Sequence, residues 1–238
     1  MKTLPSRLQS LDWALHNREL LTKGFTITQA FLNDDECKDL QALFDENELY
    51  RSTIDMKRYS FGKGTYRYFK YPLPETIQIL RENIYKEIVG SANIWAKNSH
   101  TDIKFPTYFS EFIDEMCARG QTRSTPIILK YQPGDYCCMH QDVADGIFFP
   151  YQVIFGLTQH GKDYEGGQLI LTQQRPRLQT IPHIITIPKG GAVILTSNYH
   201  PQAGTHGFYR TVFKHGVGEI TSGERYTMGI VFHDYKEK

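Results

Sequence analysis

Tyr136-Cys137-Cys138-Met139-His140-Gln141-Asp142 follows the turn signal Pro133-Gly134-Asp135 and reads as a β-strand, Tyr136–Asp142. In a strand, residues two apart leave the same face, so His140 and Asp142 present an imidazole and a carboxylate side by side. A second imidazole, His215, closes another strand-like run, Phe208–Lys214, and Arg225 opens a further one, Tyr226–His233. Two histidines and one carboxylate occupy one triangular face of an octahedral Fe(II) ion and leave the opposite positions open. A barrel can bring strands so far apart in the chain together, which a linear reading cannot show. The ligand spacing therefore bears on the fold as well as on the site.

Working outward, the texture from Thr125 onward is short runs rich in Ile, Val, Tyr, Phe and Thr between Gly, Pro, Asn and Asp. Eight runs stand out: Pro126–Gln132, Tyr136–Asp142, Tyr151–Thr158, Gln168–Thr172, His183–Ile187, Ala192–Thr196, Phe208–Lys214 and Tyr226–His233. Eight strands without intervening helices predict a double-sheet jelly roll or an up-and-down barrel. Residues 1–124 read as mostly helical. Helices are expected over Ser6–Leu21, after a cap at Asp34 or Asp35, from Pro74 through Ile77, Leu80, Ile84, Ile88, Ala92 and Trp95, and over Tyr108–Cys117. No repeat appears, and no linker long enough to split the chain. The expected architecture is mainly β with N-terminal helices (α+β): one domain, 1–238, in which 1–124 buttresses a catalytic core at 125–238.

With 27 Lys+Arg against 26 Asp+Glu the net charge is +1, which neither favours nor excludes nucleic acid, since a local patch can matter where the sum does not. The four cysteines do not make a secreted disulfide framework, and Cys137 and Cys138 are read as buried thiols. No signal peptide or membrane span is visible, so the expected location is cytoplasmic, a reducing compartment where Fe(II) persists.

Arg225 is placed to grip a carboxylate bidentately inside the barrel, and Thr227, two residues on, can add a hydroxyl hydrogen bond. The plain alternative is a surface ion pair of Arg225 with Glu224 or Glu219. His-x-Asp alone occurs by chance in many proteins, so the two features carry weight only together. They point to a non-haem Fe(II) oxygenase that uses 2-oxoglutarate. Because ligating histidines must be neutral, iron affinity is expected to fall below pH ~6.5.

The series Tyr131-x-x-Gly134-x-Tyr136-x-x-x-His140-x-Asp142, Asp163-x-x-Gly166-Gly167-x-Leu169 and His215 with Gly223-x-Arg225 resembles the prolyl-4-hydroxylase-like branch of the 2-oxoglutarate/Fe(II) dioxygenases. Arg67–Leu73, Gly120–Lys130, Gln173–Gln179 and Gly229–Asp234 are similar to a bacterial subgroup labelled as acting on damaged DNA. The resemblance covers roughly Tyr66 to Asp234. It implies a double-stranded β-helix (jelly-roll) core, Fe(II) held by His140, Asp142 and His215, and 2-oxoglutarate held by Arg225, with Tyr131 as a further contact. It also implies dioxygen as co-reactant, ascorbate as accessory reductant, and release of succinate and carbon dioxide as a substrate is hydroxylated or oxidatively demethylated. AlkB-type nucleic-acid demethylases carry a second arginine six residues after the cosubstrate arginine; here that position is Val231.

The primary substrate stays open among a protein side chain, a small molecule and nucleic acid. Residues Arg51–Tyr71 interleave Arg51, Lys57, Arg58, Lys63, Arg67 and Lys70 with Tyr59, Phe61, Tyr66, Tyr68, Phe69 and Tyr71. That mixture suits a single strand of nucleic acid or a lid hinged at Gly62 and Gly64, and equally a surface hairpin whose rings pack on the barrel. Gln173–Arg177 is a second basic element. The competing classes are a non-catalytic cupin-like jelly roll that binds a metal or ligand, and a hydrolytic Mn or Zn site in the same triad.

Overall fold

The computed structural model describes residues 2–142 and 146–237. Five helices, α1 (Leu4–Gln9), α2 (Trp13–Lys23), α3 (Asp34–Ala42), α4 (Glu75–Asn98) and α5 (Phe109–Cys117), precede most of the strands. The helix expected over Ser6–Leu21 is two, because Asp12 caps a new start by accepting from Leu15 N at 2.9 Å. The cap of α3 is Asn33, in a reciprocal box with Glu36; Asp34 and Asp35 instead lie in the first turn, where the helix dipole favours acids. In α4 the expected stripe Ile77, Leu80, Ile84, Ile88, Ala92 and Trp95 is buried. Among the described residues, no helix is long and apolar enough to cross a membrane.

Strands are numbered in chain order. A seven-stranded sheet runs β1 (Phe25–Ile27), β12 (Ala192–Thr196), β8 (Tyr151–Gly156), β16 (Arg225–Val231), β6 (Ile127–Tyr131), β4 (Thr65–Phe69), β2 (Tyr50–Asp55). A second sheet runs β11 (Ile181–Ile185), β10 (Leu169–Gln174), β14 (Gly207–Val217), β7 (Tyr136–His140), β3 (Gly62–Lys63), with β13 (Tyr199–Gly204) also paired to β14. Two short ribbons, β9 (Tyr164–Gly166) with β15 (Ile220–Gly223) and β5 (Gln121–Arg123) with β17 (Tyr235–Lys236), complete the set. Every named strand pair is antiparallel, and the two large sheets form the jelly-roll core expected from the sequence.

Three departures matter for the site. The basic aromatic segment is a hairpin, as one reading had it, but it is part of the major sheet: β2 and β4 join beside β6, as their aromatic and β-branched content allows. β14 runs through His215 to Val217, where the sequence suggested an end at Lys214. Gly216 is what lets it continue, since a Cβ there would stand 2.7 Å from the Cys137 carbonyl. Asp142 lies beyond the end of β7, which stops at His140, so strand alternation does not place it.

The largest core cluster lies between the helices and the major sheet, where Tyr85 packs on Phe109, Phe112, Phe149 and Phe232. Arg81 of α4, fully buried, ties this layer to the chain after β16 through Asp234 at 2.6 Å. Two smaller clusters fill the sandwich: Leu169, Leu171, Ile185, Ile187, Val193, Leu195 and Phe213, and Met56, Tyr131, Tyr164, Val217 and Ile220. Both contribute to the walls of one cavity of about 270 Å³.

Candidate metal and cosubstrate site

Register brings the two histidines together. His215 of β14 is the direct cross-strand partner of His140 of β7, and their rings stand 4.3 Å apart. The Asp142 carboxylate completes the group, with His140 Nε2 3.8 Å from Oδ1 and His215 Nε2 3.5 Å from Oδ2. One ligand atom from each residue falls within 4.8 Å of the others. Facial ligands ~2.1 Å from an ion stand ~3 Å apart, so the three need to close by at most about 2 Å to share one. His140 Nδ1 lies 2.9 Å from the Cys138 carbonyl, which can only accept, so Nδ1 carries the proton and Nε2 is left facing the carboxylate.

The two rings differ electrostatically. Burial works to lower the His140 pKa, but the Cys137 thiol, the Asp142 carboxylate and the Cys138 carbonyl outweigh it and raise it to about 9. His215 is pushed down to about 4 by burial, which the Asp142 carboxylate opposes and His140 reinforces. The window for proton competition with a metal thus reaches well above the ~6.5 expected for ordinary imidazole.

At the other end of the cavity Arg225 of β16 is buried, 2% exposed. Its Nη1 donates to Thr227 Oγ1 at 3.4 Å, and its Nε has no partner. Tyr131 is its cross-strand neighbour on β6, and the guanidinium lies 5.5 Å from that ring and 5.9 Å from Tyr164. Glu224, the surface partner considered from sequence, pairs with Lys130 at 3.0 Å and accepts from Gln132 at 2.9 Å instead. Among the described residues no carboxylate comes within ion-pairing distance of Arg225.

Arg225, Thr227, Gly229 and Val231 alternate along β16 and all line the cavity, so one strand runs the length of the chamber. The end away from Arg225 is walled by Tyr66, Tyr68 and Tyr235 over Ile127, Ile154 and Val231. Three of the six basic residues of the 51–71 segment are engaged elsewhere, while Lys57, Arg58 and Lys70 are exposed. Arg67 binds the Phe44 carbonyl and Asn47 and lies over Tyr50, Arg51 reaches Ser124 O, and Lys63 pairs with Asp135. Only Phe61, Tyr66 and Tyr68 of the aromatic set line the cavity. None of residues 173–177 does, nor do His160, His183, His200, His206 or His233. The sequence reading missed Tyr235, Gln152 and Cys137. Cys137 is half-buried and lines the cavity and Cys138 is exposed, which corrects the expectation of two buried thiols: β7 has only the two-residue β3 on its outer side.

Residues 64–235 match the family Oxygenase-NA, described as an oxygenase catalysing oxidative methylation of damaged DNA. An uncharacterised protein from two strains of Mycobacterium tuberculosis is 34% identical over 166 residues, 70% of this chain and 71% of its own length. Among solved structures, a Pseudomonas putida prolyl-4-hydroxylase aligns with a TM-score of 0.57 at 14% identity, covering 95% of this chain and 100% of that one. A Burkholderia pseudomallei oxidoreductase of the 2-oxoglutarate–Fe(II) oxygenase family gives 0.55 at 14%, covering 95% and 94%. A Trichoplax adhaerens prolyl hydroxylase, solved with a hypoxia-inducible-factor peptide, gives 0.55 at 16%, covering 98% and 94%. At such identities these likenesses establish the fold alone. With a family match spanning most of its length, the chain belongs to the Oxygenase-NA family and is built on the prolyl-4-hydroxylase-like fold of the 2-oxoglutarate–Fe(II) oxygenases.

Proposed function

We propose that this protein is a 2-oxoglutarate-dependent Fe(II) dioxygenase, with His140, Asp142 and His215 as metal ligands and Arg225, Thr227 and Tyr131 as cosubstrate contacts. The observation that carries the reading is one cavity holding both a facial donor set and a buried guanidinium without an anion. A buried cation with a single long hydroxyl contact is costly unless an anion joins it. A dicarboxylate whose far end meets Arg225 and whose near end reaches the triad supplies that partner. The donor set fits as well: imidazole and carboxylate suit Fe(II), and three protein ligands leave positions open. A cupin-like protein with a structural metal would give Arg225 no such task.

Bound there, Fe(II) and 2-oxoglutarate supply oxidative decarboxylation by dioxygen, yielding succinate, carbon dioxide and an oxidising equivalent for a substrate C–H bond. The chain's own groups orient and enclose. His140 Nδ1–H on the Cys138 carbonyl holds the ring, Arg225 fixes one carboxylate, and the clusters around Met56 and Leu169 keep water from the cavity walls. Substrate enters at the end opposite Arg225. Among the described residues no cation lines that end, Arg51 lying over the Tyr68 ring at 4.1 Å, so an uncharged reacting group with the three phenols as hydrogen-bonding partners fits it best. The family description makes a damaged base one candidate for such a group. Of the cations of 51–71, Arg51, Lys63 and Arg67 are committed to other contacts, which leaves Lys57, Arg58 and Lys70 exposed for a phosphate chain. Four cysteines without disulfides support a cytoplasmic setting.

The test is an anaerobic titration with Fe(II) and 2-oxoglutarate, followed by air. A metal-to-ligand charge-transfer band and succinate formation are expected, both lost in His140→Ala. Metal binding without either would leave the cupin-like alternative.

A further inference from the structure

Asp142 is the one member of the triad that no strand register places, so something else must aim its carboxylate. Its backbone N–H reaches only the Ser197 carbonyl, at 3.3 Å. Its side chain has a firmer hold: Gln152 Nε2 donates to Asp142 Oδ2 at 2.6 Å. Gln152 belongs to β8, is 5% exposed, and sits between Leu195 of β12 and Val231 of β16. Those neighbours offer only aliphatic side chains, and the amide turns into the cavity toward the carboxylate. A buried amide in an apolar setting costs ~1–3 kcal/mol unless it is paired, so Gln152 has few alternatives to this contact.

Resting on the Fe(II) reading above, we propose that Gln152 is a positioning residue that keeps Asp142 a one-oxygen ligand. Each oxygen lies near one imidazole, Oδ1 3.8 Å from His140 Nε2 and Oδ2 3.5 Å from His215 Nε2, and the Gln152 N–H engages Oδ2, which leaves Oδ1 as the donor. The consequence is a matter of counting. An octahedral ion with three single-atom ligands has three positions left, enough for a two-atom chelate and dioxygen. A carboxylate that swung round to chelate through both oxygens would take a fourth position, and either the chelate or dioxygen would lose its place. Partners of ligating groups commonly matter 10–100-fold in metal affinity.

Gln152→Met keeps the volume and removes the donor. Three quantities are read on purified full-length protein: Mn(II) affinity by titration, the visible spectrum of the Co(II)-substituted site, and the melting temperature without metal. The expected result is a roughly 10- to 100-fold weaker Mn(II) affinity, a changed Co(II) spectrum, and an unchanged metal-free melting temperature. Wild-type affinity and spectrum in Gln152→Met would overturn the proposal. Should that variant not fold, a crystal structure of the Mn(II)-loaded wild type decides: Oδ1 alone on the metal with Gln152 on Oδ2 supports it, and two-oxygen chelation overturns it. If the wild type takes up no Mn(II), Co(II) or Fe(II), the metal reading itself fails, which is a different outcome from equal binding by wild type and variant.

Discussion

Replacing Arg225 with methionine separates a cosubstrate grip from a structural role, because the two predict opposite signs for stability. Without ligand the guanidinium is 2% exposed, has one 3.4 Å contact to Thr227, an unpartnered Nε and no carboxylate within ion-pairing reach among the described residues. An apolar side chain of similar length removes an uncompensated charge, so the ligand-free protein should unfold at the same or a higher urea concentration. The bound state loses much more. Truncating one partner of a buried, hydrogen-bonded charge pair costs ~2–5 kcal/mol, roughly 30- to 4,000-fold in affinity at ~1.4 kcal/mol per decade. Isothermal titration of 2-oxoglutarate into Mn(II)-loaded protein measures the loss, and urea unfolding of the metal-free protein measures the other half. A variant that binds 2-oxoglutarate as tightly as wild type would refute the assignment. So would a large loss of stability without ligand, since it would mean that packing on Tyr131 and Tyr164 is the reason for Arg225.

Acid should destabilise the metal-free protein early. His200, His215 and His233 are held at about 4, 4 and 3, each chiefly by burial, against ~6.5 unfolded. The unfolded chain then binds up to three more protons as pH falls from ~6.5 toward ~4, a slope approaching ~4 kcal/mol per unit, and a flat urea midpoint across that range would contradict it. His140 acts on the other side: its raised pKa contributes stability that is complete below ~6.5 and lost as pH rises to about 9. For the same reason metal uptake at pH 7.5 should release a proton from His140, measurable by titration in buffers of different ionisation heat. Arg81→Met strands the buried Asp234 carboxylate and should cost ~3–5 kcal/mol in urea unfolding, with Asp234→Asn in the same chain recovering part; a loss below ~1 kcal/mol would mean that Asp234 finds another partner. Once a stimulating substrate is known, Tyr68→Ala should raise its KM while 2-oxoglutarate affinity, measured without it, holds; an unchanged KM would remove the phenol wall from recognition.

What was legible in the sequence is what is local to one strand. His140 and Asp142 stand two apart, Arg225 and Thr227 stand two apart, and the apolar stripe of α4 keeps its spacing, so residue type and period were enough. Contacts set by register between strands were legible only where a motif marked both residues, as for His140 with His215. Gln152 meets Asp142 because β8 passes beside the chain leaving β7, and no spacing in the sequence encodes that. Tyr235 lies past the last long strand in a two-residue ribbon with β5, too short to leave an alternating pattern. The 51–71 segment was ambiguous for a physical reason: three of its six rings face the cavity while Arg51 and Arg67 stack on Tyr68 and Tyr50, so cations and aromatics alternate as a binding track would. Asp142 shows the limit from the opposite direction. It lies beside His140, but the strand ends at His140 itself, so strand alternation is not what brings the two together.

Val231 gains meaning from β16. Arg225 and Val231 are six residues apart on one face of that strand, ~20 Å at ~3.3 Å per residue, so they mark opposite ends of the cavity. Val231 is paired in register with Gln152, close to the carboxylate that Gln152 holds. A cation at this position would stand beside the Asp142 side of the metal site and could compete with Gln152 for Oδ2. In this chain the position is aliphatic and the amide has the carboxylate to itself. Val231 thus adds no charge to that end of the cavity and leaves Asp142 to a neutral partner, so on the proposed reading a single cross-strand pair bears on both.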